Sequence, residues 1–525
     1  MDQQDYQSLL GWYRSNSVNL NPSLELRNDP VTQLSFFATW DLPKDSVAIE
    51  VPTEICLTPQ TSKEAILSTF PEESRFDTLD LSPHDWVVFY LYLTKVLDEV
   101  VVKLCLQDDP SHPLRKHSLY VRSIPKVILT PLHYRFSELQ LLRGTPLFGA
   151  TVERLSKTRA SFENVSFHLE AHLLNDQGHL STVRDPLTLG LLQSLNLLGE
   201  TVGPRRDRGS TDGYDFSTSP SLEIWRWAES AYGSRAFPPR LIGLPEDQVS
   251  SDPSEAILVG PVLIPALDTF NHARGKPVTW SYQPGEDSPS TRKPRKPKGS
   301  VVLTLHHPTP KGEQVFNNYG AKSNEEFLGS YGFVLKEGLD DALTLKLATE
   351  DGDGTVEGSD WGRSHYWRKD SIKAPDGLLK EIRQRLNSSA HQDRQEEEEG
   401  RGLEPDSSSS EKRELKSLYE EANVYETLEV LLLNKRKAFR KSEAAGSDHV
   451  PVASGAVVER HVSDEEGRRT EVRDPEAPVR EEVRSMITVY RQGQATILDN
   501  AVSWVRSQLE SIADRLDELE GSQEE

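Results

Sequence analysis

Two stretches decide how this chain is read: IPALDTFNHA (264–273) and EQVFNNYGAKSNEEFLGSYGFV (313–334). With Val262 and Leu263 ahead of it, the first is an apolar strand running into a polar Asp268-x-x-Asn271-His272. A turn at Pro310-Lys311-Gly312-Glu313 leads to a short apolar run at Val315 and Phe316, then Asn318-Tyr319-Gly320. Lys322-Ser323-Asn324 opens a helix that Tyr331-Gly332-Phe333 closes. An isolated Asn-His or Asn-Tyr-Gly reads as a satisfied turn or a core residue, so weight attaches only to their order and company.

Outward from these stretches, residues 1 to about 340 alternate short apolar runs with turn residues. FFATWDLPKDSVAIEVPTEICLT (36–58) reads as two strands about a Pro-Lys-Asp turn, and VLIPALD (262–268) and VVLTLHH (301–307) as further strands. Residues 86–106 and 137–160 read as helices. The first is very apolar but carries Lys95, Asp98, Glu99 and Lys103, which suits a buried helix better than a membrane span. Segments 200–220 and 283–299 read as mobile loops; Arg292, Lys293, Arg295, Lys296 and Lys298 make the second locally basic. Beyond 340 the pattern turns helical, over 415–441 and over 486–519, the latter as one helix or two. Between these helices, the tracts at about 390–412 and 443–480 carry too few apolar residues to offset the entropy of ordering them.

Composition narrows the function. The 525 residues suit two or three domains. A net charge of −23, from 60 Lys and Arg against 83 Asp and Glu, argues against nucleic-acid binding, which needs a basic surface. It is compatible with steering a basic protein substrate. Two cysteines, Cys56 and Cys105, form neither a disulfide framework nor a zinc cluster, so the expectation is a reducing, cytoplasmic or nuclear compartment with no metal and no membrane. Neither glycine-rich phosphate-binding loop occurs, nor H-E-x-x-H, C-x-x-C or G-x-S-x-G. His306 and His307 are adjacent on a strand and face opposite ways, a poor metal pair.

Taken together, the two opening stretches resemble the C-terminal signature motifs of the SET domain, in the form found in the Rubisco large-subunit methyltransferase-like class. The similarity extends to WYRSNSVNLNPSLELR (12–27), to SLYVRSIP (118–125) with LLRGTPL (141–147), to WRWAESAYGSRAF (225–237) and to VYRQGQATIL (489–498). It covers most of the chain outside the polar insertions. The resemblance implies an α+β fold: a knotted SET domain of short strands over 1–340 with a helical insertion at about 80–240. A mostly helical substrate-binding-like domain follows over 341–525.

The resemblance also implies S-adenosylmethionine as cofactor, a protein-lysine N-methyltransferase activity on a non-histone substrate such as a ribosomal or translation component, and a monomer. It assigns Tyr319 as the catalytic tyrosine and Tyr331 to the lysine channel. Arg235 would meet the cofactor carboxylate, bidentate pairing being what a guanidinium does well. Asn271 and His272, supported by Asp268, would complete the back of the cofactor site. At the front the class has Gly-x-Gly, where this chain has Gln33-Leu34-Ser35. The side chains there would narrow the pocket, or the amides of Leu34, Ser35 and Phe36 would reach the cofactor from a shifted loop. Two alternatives follow: a non-catalytic binding module that retains the fold, and a histidine-methylating member of the class.

Overall fold

The computed structural model describes residues 3–70, 75–169, 185–197, 219–245, 258–285, 299–347, 364–397, 410–447, 462–463, 469–470 and 478–521. The basic run at 292–298 and the bulk of the loop expected at 200–220 lie outside them. So does most of the 443–480 tract. In the 390–412 tract, helices reach Glu397 from one side and start at Ser410 on the other, and 398–409 lies outside the described residues.

The chain divides into two compact units: 1–133, 152–320 and 459–473 form one, and 134–151, 321–458 and 474–525 the other. The boundary expected at 340 therefore falls inside the second unit, which also takes in a segment from the helical insertion.

In the first unit, the strands β1 (Asn19–Leu20), β4 (Ser46–Pro52), β8 (Gly299–Leu305) and β7 (Val278–Pro284) form an antiparallel sheet in the order β1-β4-β8-β7. A hairpin pairs β2 (Leu24–Asp29) with β3 (Gln33–Ala38), and β5 (Ala236–Phe237) pairs with β6 (Val262–Leu263). The run expected as a strand over 262–268 is extended only at Val262–Leu263. Beyond Pro265, Ala266 takes φ 69°, ψ −39° and Leu267–Thr269 wind into a 3-10 turn. Positive φ at an alanine is sterically costly, by about 1–3 kcal/mol, and persists only where the surroundings impose it. Ala266, Leu267 and Phe270 are wholly buried, so the surroundings do.

Apolar alternation on the strands builds one core from Phe36, Ala38, Ala48, Ile49, Val51, Val301, Leu303 and Val315, among others. A second core forms around the helix Pro83–Lys103. That helix begins at Ser82, whose hydroxyl accepts the Asp85 N–H, with Pro83 at its first position. The charges that argue against a membrane span are each accounted for. Asp98 receives Arg115 and Arg122, Lys95 lies over the Trp227 ring at 4.8 Å, and Lys103 pairs with Glu99. No described helix is long and apolar enough to cross a membrane.

In the second unit, β9 (Ala342–Leu345) pairs with β10 (His365–Arg368), and both pack with the long helices Ser410–Ser447 and Glu481–Gly521 around Trp367, Leu428, Leu432, Val502 and Val505. The 486–519 pattern is one uninterrupted helix rather than two. Gly493 within it allows the carboxylate of Asp341 to approach; a Cβ there would lie 2.7 Å from Asp341 Oδ2.

Candidate active site

Pairing of β5 with β6 sets the geometry. Register Ala236↔Leu263 and Phe237↔Val262 brings Arg235, the last residue of the helix Pro220–Arg235, against the turn that follows β6. Arg235 Nη1 donates to the Asp268 carbonyl at 2.8 Å and lies 3.4 Å from its Oδ2. The same Oδ2 accepts the Tyr120 hydroxyl at 2.7 Å. Burial pushes the Asp268 carboxyl up from its ordinary value, while Arg235 and Tyr120 oppose the rise. Burial, then the adjacent Asp268 charge, holds the Tyr120 phenol well above its ordinary value. For Arg235 burial works against the charge, but Asp268, joined by Tyr120 and Tyr319, outweighs it, so the guanidinium stays ionised.

The two signature stretches lie side by side. Asn317 N donates to the Asn271 carbonyl at 2.7 Å and Ala273 N to the Asn317 carbonyl at 3.0 Å, around a parallel bridge between His272 and Asn317. Tyr319 follows directly. Its N–H donates to His272 Nδ1 at 3.0 Å, which makes that nitrogen the acceptor; its hydroxyl donates to the Phe270 carbonyl at 3.0 Å. The two rings stack, with centroids 5.2 Å apart and planes 30° from parallel. Tyr319 and His272 are both half-buried.

The front of the site is the β2–β3 hairpin. Asp29 Oδ1 accepts the N–H groups of Val31 and Thr32, closing a three-residue loop, and Gln33 takes the positive φ (60°) that such a loop requires at its exit. The carbonyl of Phe36 accepts Val315 N, and Ala38 N donates to the Glu313 carbonyl, so β3 lies against the Tyr319-bearing segment. Alternation along a strand directs the backbone groups of Leu34 to the same edge. Ser35 is fully buried with its hydroxyl on Asn271, and Phe36 stacks on Phe270 at 4.6 Å in the core.

Arg235, Asp268, Asn271, His272, Tyr319 and the Leu34–Phe36 strand thus belong to one connected network. Tyr331 lies in the other unit, in a single π-helical turn over Phe327–Tyr331 entered from a Ser323/Glu326 capping box. It is edge-on to Phe327 and Phe333, with Lys322 Nζ 5.7 Å from its ring centre; burial, then Glu326, pushes its hydroxyl up to about 12. Sequence reading did not single out Tyr120 or Asn317. Tyr120 stood inside the SLYVRSIP match, but nothing local linked a helical tyrosine to an aspartate 148 positions away. Asn317 is wholly buried, with Oδ1 accepting Trp280 Nε1 and its own neighbour's N–H.

Several buried polar atoms around this network make no hydrogen bond among the described residues: Arg235 Nε, Asp268 Oδ1, Gln314 Nε2 and Asn317 Nδ2. Buried groups of this kind ordinarily find partners, and at Arg235 and Asp268, which touch each other, a polar ligand would supply them. No group of three or more His, Cys, Asp or Glu suited to a metal occurs among the described residues.

No protein-family profile matches the chain. Among solved structures, it superposes on the SET domain of Rubisco LSMT bound to lysine and AdoHcy with TM-score 0.56 at 16% identity, over 97% of this chain and 92% of that one. Rubisco LSMT bound to AdoMet gives TM-score 0.52, also at 16% identity, over 97% and 93%. The protein therefore has the SET-domain fold of the Rubisco LSMT type, an α+β fold. Among curated relatives it is 25% identical over 338 residues to the ribosomal lysine N-methyltransferase set10 of Schizosaccharomyces pombe, covering 63% of this chain and 46% of that protein. To the protein-lysine N-methyltransferase EFM1 of Saccharomyces cerevisiae it is 23% identical, over 66% and 52%. The actin-histidine N-methyltransferase of Xenopus tropicalis is 21% identical, over 67% and 47%. The chain spans about half the length of these curated relatives.

Proposed function

We propose that this chain is an S-adenosylmethionine-dependent protein-lysine N-methyltransferase acting on a non-histone protein. The observation that carries the reading is that Tyr319, held by His272 and the Phe270 carbonyl, lies beside the turn on which Arg235 pairs with Asp268, with Arg235 Nε and Asp268 Oδ1 buried and without a hydrogen bond among the described residues. A cationic donor next to an anionic acceptor matches the two charges of an amino-acid end, which S-adenosylmethionine has. Arg235 would hold its carboxylate, and the Leu34–Phe36 strand edge would offer backbone groups. When bound, the cofactor supplies a methyl group on a sulfonium.

The chain's residues would then do three things. The Arg235–Asp268–Tyr120 network fixes a charged anchor in place before any ligand arrives, so little reorganisation is required at reaction. The Tyr319 hydroxyl, its proton committed to Phe270, leaves oxygen lone pairs to orient an amine N–H. A lysine ammonium has an ordinary pKa of about 10.4, and partial burial of the site favours the neutral amine that must attack. Tyr331 we assign to the lysine channel. A ribosomal substrate is supported by the name of the Schizosaccharomyces pombe relative, and lysine as acceptor by the names of both yeast relatives.

Calorimetric titration of S-adenosylmethionine into the purified chain tests the reading. Binding in the micromolar range is expected, and none in the millimolar range would sink it in favour of a non-catalytic binding module. Labelled-methyl transfer into cell extract should reveal a protein target, and Tyr319→Phe should lower the transfer about 100-fold or more. Likeness to the actin-histidine enzyme favours a second acceptor, imidazole; mass-spectrometric location of the label separates lysine from histidine.

A further inference from the structure

We propose that the side chain of Ser35 is a positioning residue that does the work glycine does elsewhere in the class: it clasps the β2–β3 hairpin to Asn271 and so sets the strand edge that faces the cofactor. This rests on the methyltransferase reading above and concerns the front of the site, where Gln33-Leu34-Ser35 stands in place of the Gly-x-Gly of the class.

The two glycine positions are filled in different ways. At the first, Gln33 itself adopts the left-handed conformation, and its side chain is exposed. At the second, Ser35 is fully buried, and its hydroxyl is engaged on all sides. Asn271 Nδ2 donates to Ser35 Oγ at 2.6 Å and to the Thr32 carbonyl at 3.1 Å. Ser35 Oγ also lies 3.1 Å from the Gln33 carbonyl and 3.1 Å from Thr32 Oγ1. A hydroxyl offers one proton and two acceptor sites: Ser35 Oγ accepts from Asn271 and gives its own proton to the Gln33 carbonyl or to Thr32 Oγ1. The Thr32 hydroxyl donates its proton to Asp29 Oδ1 at 3.1 Å or to Gln314 Oε1 at 3.2 Å, and the second of these acceptors lies on the Tyr319-bearing segment.

Asn271 is the hinge of the arrangement. Its amide holds the hairpin, while its carbonyl accepts Asn317 N two residues before Tyr319. With glycine or alanine at 35, the Asn271 amide loses one of its two acceptors in a half-buried place where water is a poor substitute. The hairpin edge would then be held by the single bond to Thr32. A glycine at 35 is thus expected to weaken this particular site, although it would restore the pattern of the class.

The test measures two quantities on Ser35→Gly, Ser35→Ala, Thr32→Val and Gln33→Gly in the full chain. One is the affinity for S-adenosylhomocysteine by calorimetry; the other is amide hydrogen exchange of the 29–36 and 270–273 segments without ligand. Both Ser35 variants should bind about five- to tenfold more weakly, the loss of one buried hydrogen bond, and should exchange faster in both segments. Thr32→Val should shift both readouts in the same direction by less, and serves if the Ser35 variants fold poorly. Gln33→Gly retains the Gln33 carbonyl and the Ser35–Asn271 bond, so exchange of the 270–273 segment should stay as in the unaltered chain. Ser35→Gly binding as tightly as the unaltered chain, or unchanged exchange in both Ser35 variants, overturns this inference alone. An unaltered chain that binds no S-adenosylhomocysteine overturns the methyltransferase reading and this inference with it.

Discussion

At the scale of the residue, Arg235 shows how a charge is made ready for a ligand. It sits at the end of a helix, one-fifth exposed, against a carboxylate only 1% exposed. Removing it would leave Asp268 buried without its cation, so deletion would confuse folding with binding. Arg235→Lys separates the two: it retains a positive charge next to Asp268 but loses the planar fork that pairs with a carboxylate. Cofactor affinity is expected to fall about tenfold or more, with the melting temperature nearly unchanged; calorimetry and thermal unfolding on one preparation check both. Equal affinity would remove Arg235 from the site. The candidacy of Arg235, Asp268, Asn271, His272 and Tyr319 was legible through the resemblance of their motifs to the class. That of Tyr120 was not, because its meaning lies in a contact made across the fold.

At the scale of the element, local rules predict starts and ends well and partners poorly. Ser323 and Glu326 form the capping box that S-x-x-E suggests, and Ser323→Ala should cost about 1 kcal/mol in urea unfolding. The long-range ties are of another kind. Glu138, with no side-chain exposure, caps its own short helix by accepting Arg135 N and also receives Arg480 Nε, Nη2 and N at 2.7–2.9 Å. Burial alone would raise its carboxyl, but Arg480 outweighs burial and holds it below its ordinary value. A carboxylate depressed on folding contributes stability above its unfolded pKa, about 4.3, and that stability is lost as pH falls through the folded value. Arg480→Ala should destabilise the second unit by about 3 kcal/mol at neutral pH, with a smaller difference from the unaltered chain in acid. Circular dichroism melts at pH 7 and pH 3 measure this; equal losses at both would show that packing, not charge, is at stake.

At the scale of the whole molecule, a net charge of −23 is a statement about encounter rather than fold. If the substrate is a basic protein, kcat/KM should fall about tenfold between about 0.05 and 0.5 M salt while kcat holds, because screening acts on approach and not on the buried site. A salt-independent kcat/KM would point to a neutral or acidic target. The sequence by itself determined the α+β class and the helical character of the second half, since periodicity, caps and ordered motifs are local properties of the chain. Only the tertiary structure decided that the second unit begins at 321 and recruits 134–151, that 262–268 breaks from strand into a strained turn at Ala266, and that Ser35 faces inward to Asn271. The reason is the same in each case: these outcomes depend on which distant groups compete for a buried hydrogen bond or a place in the core, and that competition takes place only once the chain has folded.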